Sequence, residues 1–482
     1  MGFASTFRTL GVLFVVFGLT LFPPLVVSLL YQDGNTAAYL ETALIAVLAG
    51  SAIYVPFSWA AKTSMRQRHS FLIVALMWVS MSVLGSVPFV LTLDMSFVDA
   101  LFESTSGYTT TGATVLTGLD ELPRSILFYR QEIQWFGGVG VVVLAIALLP
   151  MLGVGGMQLY KAETPGPFKD EKLTPRVART ARNVWLVYFG LTAACALAYF
   201  FAGMEPFDAV AHSLTTVSTG GYSTHDASIG YFNSPLIEAV AILFMVIGAI
   251  SFSTHFVALS ARRPSAYRSD SQLRAFLSVI FVTGLIVTAV LYSQSDTPSM
   301  TDAVRRGAFE VISVVTSTGY GIDDFSVWPL ALPVILIFTS FIGGCAGSTA
   351  GGMKVIRFVV LAKQVGVHLR RLIHPKSVWR VKVEGRVVPD AVIDGIWGFF
   401  TVYVIVFSIL MIALMFDGMD QVTAFSAVAT TLNNLGPGLN EVSGNFLSVT
   451  SETKLILVLA MILGRLEIFT ILVLIAPSFW KE

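Results

Sequence analysis

Apolar runs long enough to cross a bilayer recur from one end of the chain to the other, and no other feature limits the fold as strongly. Of the 482 residues, 55% are hydrophobic and only 12% are charged. A hydrocarbon core of ~30 Å requires about 20 apolar residues per helix. The pattern predicts an all-α, polytopic membrane protein with almost no chain left for a soluble domain.

Basic residues are concentrated in four of the segments that connect the apolar runs. Because lysine and arginine near the ends of spans favour the cytoplasmic side, we expect all four clusters there. They are Lys62, Arg66 and Arg68; Lys161, Lys169, Lys172, Arg176, Arg179 and Arg182; Arg262, Arg263, Arg268 and Arg274; and Lys363, Arg370, Arg371, Lys376, Arg380, Lys382 and Arg386. The acidic residues lie mostly in the intervening connections, which suits the outer face.

An internal repeat defines the fold class. Four segments align on a final glycine, and each is too short and too polar to span a bilayer: Phe102–Gly112, Val210–Gly220, Phe309–Gly319 and Ser426–Gly436. Each lies between two apolar runs that are long enough to span. The predicted unit is therefore a helix, a re-entrant loop and a second helix, repeated four times after two N-terminal spans.

The repeat predicts the domain organisation. We expect the two N-terminal spans in residues 1–69, and repeats in 70–160, 161–262, 263–371 and 372–482, with an interrupted second helix in the third. Irregular backbone at membrane depth is tolerated only where protein encloses it or where it lines a watery cavity. Four such loops therefore predict one central pathway.

The loop tips have the chemistry of a cation filter. They are small and rich in hydroxyl groups, and glycine allows backbone carbonyls to turn toward an axis and replace an ion's hydration shell. No carboxylate immediately precedes the four glycines, whereas a divalent-cation filter would present a ring of them. Single Thr-Gly clusters are usually turns between helices. Four copies at matching positions favour a filter for monovalent cations.

These motifs resemble those of the Trk-type potassium-uptake pore subunits of bacteria, in the superfamily of TrkH, KtrB and the plant and fungal potassium transporters. The resemblance covers essentially the whole chain. Its most specific segments are Thr109–Thr114, Ser218–Ser223, Thr316–Tyr320, Asn433–Gly438, Gly343–Lys354 and Gly464–Thr470. It implies uptake of K⁺, and also of Rb⁺, across the bacterial cytoplasmic membrane.

The resemblance also implies which residues line the filter. These are Thr110, Thr111, Gly112, Thr219, Gly220, Thr318, Gly319, Asn434, Leu435 and Gly436. Some sodium-selective relatives have serine in the first loop, so Gly112 favours potassium. The two N-terminal spans resemble TrkH rather than the shorter KtrB, which argues against the sodium-dependent branch.

A dense run of glycines interrupts the second span of the third repeat. Each interior glycine costs a helix about 1 kcal/mol relative to alanine, so we expect a broken helix. The family resemblance gives this segment the role of a gate, with the residues Gly343, Gly344, Gly347, Ser348, Thr349, Gly351 and Gly352. The alternative is close helix packing through small residues. The run lacks the Gly-Lys-Ser/Thr ending of a phosphate-binding loop, and we expect no ATP hydrolysis.

Arg465 lies deep inside the last apolar run, where a charge is costly and faces a cavity or a partner. The resemblance implies an electrostatic barrier to cations below the filter. The alternative is a buried contact with an acidic or carbonyl partner that locks helices together.

Other polar residues in the spans do not form an enzyme site. Glu103 and Glu310 occupy equivalent places in the first and third loops and lack a nucleophile or metal companion, so they are expected to accept backbone hydrogen bonds. His212 and His255 have no second ligand at helical spacing and are expected to pack between helices. Cys195 and Cys345 lack the spacing of a metal site. We expect no cofactor in this chain.

Two basic connections, residues 160–182 and 364–389, are the largest soluble pieces and would be attracted to anionic lipid headgroups. The resemblance implies a homodimer and a cytosolic nucleotide-binding regulatory subunit like TrkA, for which these segments are plausible docking surfaces. No nucleic-acid partner is expected. A symporter that couples potassium to protons or sodium is the alternative mechanism.

Overall fold

The computed structural model describes residues 3–58, 67–147, 174–260, 264–294 and 299–480. Within these ranges the protein is almost entirely helical and has one small hairpin, in which Lys382–Val383 pairs antiparallel with Arg386–Val387. Six described helices are long and apolar enough to cross a membrane, and two bent helix pairs raise that number to eight. Lys62, Arg66, Lys161, Lys169, Lys172, Arg262, Arg263 and most of segment 160–182 lie outside the described residues.

Two N-terminal spans precede the repeats, as predicted. The first consists of Phe3–Thr20 and Phe22–Tyr31, and the second is Thr36–Ser58. The backbones approach closely where Gly11 meets Gly50, because a Cβ atom on Gly11 would lie 2.7 Å from the Gly50 carbonyl oxygen. The Asp33 carboxylate accepts a hydrogen bond of 2.9 Å from the Ser125 backbone N–H, which attaches this pair to the first repeat.

Each repeat consists of a first span, a short pore helix and a second span. The first spans are Gln67–Leu93, Thr174–Phe201, Ser271–Gln294 and Asp390–Phe416, and the pore helices are Phe97–Tyr108, Pro206–Val217, Met300–Val315 and Gln421–Leu432. The second spans are Arg124–Ala147, Pro235–Ala249 with Phe252–Ser260, Leu332–Ser340 with Val355–Ile373, and Ser451–Arg465 with Phe469–Ile475. Short 3₁₀ turns at Leu119–Glu121, Ser228–Phe232, Phe325–Val327 and Asn440–Val442 follow the four filter loops, and Ser265–Ser269 and Pro477–Trp480 are short helices.

Local sequence explains where the pore helices begin. Ser96 and Ser299 accept hydrogen bonds from the backbone N–H groups of Asp99 and Asp302, and Asp420 caps the fourth helix in the same way. The second pore helix has no side-chain cap and begins with Pro206 instead. Helices of 12 to 16 residues are too short to cross the bilayer, so each must enter it and return.

The second span of the third repeat is interrupted between Ser340 and Val355, and two further second spans are broken as well. The second repeat bends by 94° between Ala249 and Phe252, and the fourth bends by 109° between Arg465 and Phe469. At the first bend, the Cys345 N–H donates to the Ala249 carbonyl and the Phe252 N–H donates to the Gly347 carbonyl. The glycine run predicted an interruption in the third repeat, and no prediction was made for the other second spans. In the second repeat, the glycine-rich segment of repeat three supplies hydrogen-bond partners to the backbone at the bend.

Candidate functional site: a ring of four re-entrant loops

The same hydrogen-bond pattern follows each pore helix. In each loop, two consecutive backbone N–H groups donate back to the pore helix, the first to a carbonyl three positions earlier and the second to a carbonyl five positions earlier. These latter bonds join Thr111 to Ser106, Gly220 to Thr215, Thr318 to Ser313 and Leu435 to Thr430, at 2.8 to 2.9 Å. The pattern is independent of side-chain type and shows that the four loops share one backbone geometry.

Backbone torsion angles fix the register of the four loops. Thr110, Thr219, Ser317 and Asn434 all have φ between 50° and 53°, and glycine follows two positions later with φ between 81° and 102°. These glycines are Gly112, Gly221, Gly319 and Gly436. Gly221, rather than Gly220, is therefore equivalent to the other three. The sequence alignment of the second loop was one residue out because two consecutive glycines allow either offset.

The glycines close the four loops into a ring. A Cβ atom on Gly112 would lie within 3 Å of the Gly220 carbonyl oxygen, and the same holds in order around the ring. The further contacts are Gly221 with Thr318, Gly319 with Leu435, and Gly436 with Thr111. Side chains at these positions would displace the neighbouring backbone. The arrangement therefore requires glycine both for its torsion angle and for the close approach.

Two buried polar residues on the second span of repeat one support the ring. Arg130 donates to the Glu103 carboxylate at 2.8 Å and to the Ser223 carbonyl at 3.1 Å. Gln134 donates to the Gly220 carbonyl at 2.7 Å and accepts from the Tyr222 N–H at 3.0 Å. Both join the first repeat to the second filter loop. The sequence analysis missed them, although charged and amide side chains four residues apart within an apolar run are a recognisable signal.

Glu103 and Glu310 accept backbone hydrogen bonds, as predicted. Glu103 accepts from the Val115 N–H at 3.0 Å, and Glu310 accepts from Ile322 and Asp323 at 2.8 and 3.1 Å. His212 occupies the same position nine residues before its ring glycine, and its ring nitrogens lie 2.9 Å from the Asp208 carbonyl and 3.0 Å from the Ser223 hydroxyl. These side chains connect the first three pore helices to the segments that leave the ring.

His255 likewise has partners for both ring nitrogens. They lie 2.9 Å from the Tyr267 hydroxyl and 2.9 Å from the Ile247 carbonyl. The predicted role in helix packing fits these contacts.

An open cavity of about 410 Å³ lies on one side of the ring and is lined by all four ring glycines. Asp226, Asp323 and Asp324 contribute to its walls. His225 also lines it and bridges the repeats, with ring nitrogens 2.5 Å from Asp120 and 3.4 Å from Asp208. Partial burial opposes the charged imidazole, but the two carboxylates outweigh it and raise the pKa of His225 above its ordinary value. Asp226, Asp323 and Asp324 are the groups at the mouth of the ring that attract cations, while Arg130 and His225 lie in the same wall.

The glycine-rich segment lies against the opposite side of the ring. All seven predicted gate residues fall in the non-helical stretch 341–354. The Gly352 N–H donates to the Asn433 carbonyl at 3.0 Å, and the Gly351 N–H donates to the Ser317 hydroxyl at 2.5 Å. The Thr349 hydroxyl donates to the Val217 and Gly248 carbonyls at 3.1 and 3.0 Å. Val217, Ser317 and Asn433 precede the ring glycines of loops two, three and four, and Gly248 lies in the second span of repeat two, so the segment packs directly beneath these loops.

Arg465 contacts this segment directly. Its guanidinium donates to the Thr349 carbonyl at 2.9 Å and to the Gly137 carbonyl at 3.4 Å, while Nε has no partner among the described residues. The nearby Glu467 pairs instead with Arg357 at 2.6 Å. A buried cation thus lies below the ring with carbonyl partners only. These contacts fit the alternative in which Arg465 locks helices together through carbonyl partners. They also leave its positive charge without a carboxylate partner among the described residues, as an electrostatic barrier requires.

Known proteins are similar to this chain over its full length. The sequence profile of the TrkH family, described as a cation transport protein, matches residues 37–482. The Trk system potassium uptake protein TrkH of Halomonas elongata is 50% identical over 486 residues, and that of Vibrio parahaemolyticus is 47% identical, with complete coverage of both chains in each case. The crystal structure of the potassium transporter TrkH from Vibrio parahaemolyticus superposes with a TM-score of 0.92 at 44% identity, again over all of both chains.

Together with the apolar helices, these matches make the protein a multi-pass protein of the bacterial cytoplasmic membrane. The family is one of cation transporters and not of known enzymes. The chain belongs to the TrkH family of cation transport proteins.

Proposed function

We propose that this protein takes up potassium through the ring formed by Gly112, Gly221, Gly319 and Gly436. The observation that carries the proposal is the closed order of contacts, in which each ring glycine meets the carbonyl preceding the next one. Relatives that match the full chain are named potassium uptake proteins, which supports K⁺ as the cargo.

The filter residues act through neutral dipoles. The hydroxyl, amide and backbone groups of residues 110–112, 219–221, 317–319 and 434–436 replace part of the hydration shell of K⁺. Each loop follows the C-terminus of a pore helix, where the helix dipole contributes about −0.5 of an elementary charge. Four such ends favour a monovalent cation without a permanent carboxylate. Rb⁺ has a similar size and charge and is a suitable tracer.

Gly343–Gly352 acts as the gate, and Arg465 acts both as a barrier and as a latch. The hydrogen bond from Arg465 to the Thr349 carbonyl holds the segment under the ring. When the segment withdraws, that bond is lost and the pathway opens. The uncompensated guanidinium raises the energy of a cation that passes below the filter.

Regulation involves other chains. We include in the proposal a homodimer and a cytosolic nucleotide-binding subunit like TrkA, with segment 364–389 as a contact surface. Its exposed basic side chains Arg371, Lys376 and Arg386 support that role. Any nucleotide dependence belongs to the partner, and this chain itself uses no cofactor.

Rubidium-tracer uptake into liposomes driven by a potassium gradient tests the filter. We expect Gly112→Ser to lower the preference for Rb⁺ over Na⁺, because the serine side chain would displace the Gly220 carbonyl. Gly118→Ser is the matched control. Gly118 has a similar φ of 68°, but nothing lies within 4 Å of an added Cβ atom. Equal loss of preference in both variants would count against the ring.

The same assay tests the latch. Arg465→Ala removes a charged hydrogen bond worth about 1.5–3 kcal/mol, so uptake should rise about tenfold or more. If uptake requires a proton or sodium gradient in addition to the potassium gradient, the symporter mechanism holds instead. If no monovalent cation moves even with the cytosolic partner present, potassium uptake itself is excluded.

A further inference from the structure

A basic cavity of about 730 Å³ lies far from the ring, between the end of helix Val355–Ile373 and the hairpin that follows it. Four cationic side chains line it, and no acidic side chain does so within the described residues. They are Lys363, Arg370, Arg380 and Lys382. Glu384, the carboxylate within the hairpin, accepts a hydrogen bond from the Ser271 N–H instead. The cavity therefore concentrates positive charge without an internal counter-ion.

Specific contacts fix the shape of this cavity. Lys363 donates to the Lys382 carbonyl at 2.9 Å, and Arg371 donates to the Trp379 carbonyl at 2.6 Å. The Arg370 guanidinium lies 5.1 Å from the centre of the Trp379 ring, in cation–π geometry. Buried Val367 and Val381 form the floor. The cationic groups are thus held around a preformed space.

Exposed apolar side chains flank the cavity on the same helix and on the connection after it. Leu369, Leu372, Ile373 and Val378 are 56% to 85% exposed. Val387 in the cavity wall is only three residues from Asp390, where the next span begins, so the cavity lies within about 10 Å of the bilayer surface. An apolar strip at that level suits acyl chains, and the cationic space beside it suits a phosphate.

We propose that this cavity binds the headgroup of an anionic phospholipid from the cytoplasmic leaflet, with the acyl chains against Leu369, Leu372 and Val378. A soluble phosphoester would use the cations but not the apolar strip. A protein partner would use the exposed surface but would not need a cavity of this charge. The site is independent of the potassium pathway and differs from general attraction to the membrane, because it depends on the residues that line the cavity.

Tryptophan quenching in nanodiscs tests this site with the full-length protein. The Trp379 signal is the emission difference between the wild type and Trp379→Phe. Brominated phosphatidylglycerol should quench this signal at mole fractions well below those needed for brominated phosphatidylcholine. Each lost charged hydrogen bond to the phosphate lowers affinity about tenfold or more, so Arg380→Gln with Lys382→Gln should weaken the phosphatidylglycerol response about 100-fold.

Two control variants separate the site from surface charge and from misfolding. Lys376→Gln with Arg386→Gln removes the same charge from residues that do not line the cavity, and should keep the preference for phosphatidylglycerol. Arg380→Lys with Lys382→Arg keeps the charge of the cavity and should also keep the preference for phosphatidylglycerol. Equal quenching by both lipids, or equal losses in the two charge-removing variants, would overturn the proposal.

A soluble competitor identifies the source of the phosphate. Glycerol 3-phosphate at millimolar concentration should leave the lipid quenching unchanged, because it lacks acyl chains. Recovery of the Trp379 emission would show that a free phosphoester is the ligand and would overturn the lipid assignment. Loss of lipid quenching on addition of the cytosolic partner alone would show that the cavity is a protein contact, which overturns it as well.

Discussion

The four filter loops and the gate segment are both irregular backbone at membrane depth, but their hydrogen bonds run to different places. In each filter loop the backbone donates to its own pore helix, five residues earlier. In the gate, Gly351 and Gly352 donate to other repeats, and Thr349 accepts from Arg465. Local bonds hold the ring in one shape, whereas the proposed gate is held by contacts between repeats that can be lost together.

The energies of these contacts suit a two-state gate. A neutral hydrogen bond contributes about 1 kcal/mol net, and a bond from a charged group contributes about 1.5–3 kcal/mol. The proposed gate has several neutral contacts and one bond from the charged Arg465, and a difference of a few kcal/mol between conformers leaves the minor one populated at about 0.1–10%. A regulatory partner then needs only a modest difference in affinity to shift the gate.

Arg130 offers the largest test of the ring's rigidity. Its side chain is 1% exposed, and Glu103, its partner, is fully buried. Arg130→Gln leaves that carboxylate unpaired, so the free energy of unfolding should fall by about 3–5 kcal/mol. Denaturant titration of the purified protein, followed by tryptophan fluorescence, measures the loss.

Arg306→Gln is the comparison variant. Arg306 pairs with Asp323 at 3.1 Å, but its side chain is 48% exposed, so its removal should cost less than about 1 kcal/mol. Adding Glu103→Gln to Arg130→Gln should recover part of the stability, because no buried charge is then left unpaired. If the Arg130 and Arg306 variants lose equal stability, the buried pair does not hold the ring.

The sequence predicted the four loops because their hydroxyl-rich tips interrupt apolar runs at matching positions. It placed Gly220 in the ring because Ser-Thr-Gly occurs in the second loop one residue earlier than the torsion angles require. The bend at Ile250 was missed since its cause lies in contacts with Cys345 and Gly347, almost 100 residues away. Local chemistry therefore identifies re-entrant loops, while their exact register depends on contacts between repeats.

Thr349→Val tests the gate with a smaller change. The substitution keeps the shape of the side chain but removes the hydroxyl that donates to the Val217 and Gly248 carbonyls. Loss of about 1 kcal/mol from the closed conformer should raise rubidium uptake about fivefold. Thr339→Val is the control, because that hydroxyl bonds at 2.7 Å to Leu336 within its own helix. A similar rise in both variants would show that the inter-repeat bonds of Thr349 do not hold the gate.

His225 gives the smallest predicted effect, at the outer rim of the ring. Asp120 and Asp208 face it from two repeats, Tyr231 stacks on it at 3.5 Å, and His212 lies 6.5 Å away. Because the folded-state pKa is raised, the stabilisation is fully present below the ordinary value near 6.5 and is lost as pH rises through the higher folded-state value. Between pH 5.5 and 8.5, the free energy of unfolding of the wild type should therefore fall by about 0.5 kcal/mol relative to that of His225→Gln.

Denaturant titration across that pH range measures the difference, and His368→Gln is the control. His368 is exposed and contacts Gln364 rather than a carboxylate. Parallel curves for the wild type and His225→Gln would mean that fixed contacts hold the rim, such as the bond of 3.1 Å from the Leu119 N–H to Asp226. If the two curves diverge above pH 6.5, the contacts of His225 between repeats weaken as the pH rises. The rim would then differ from the ring beneath it, which is held by local hydrogen bonds.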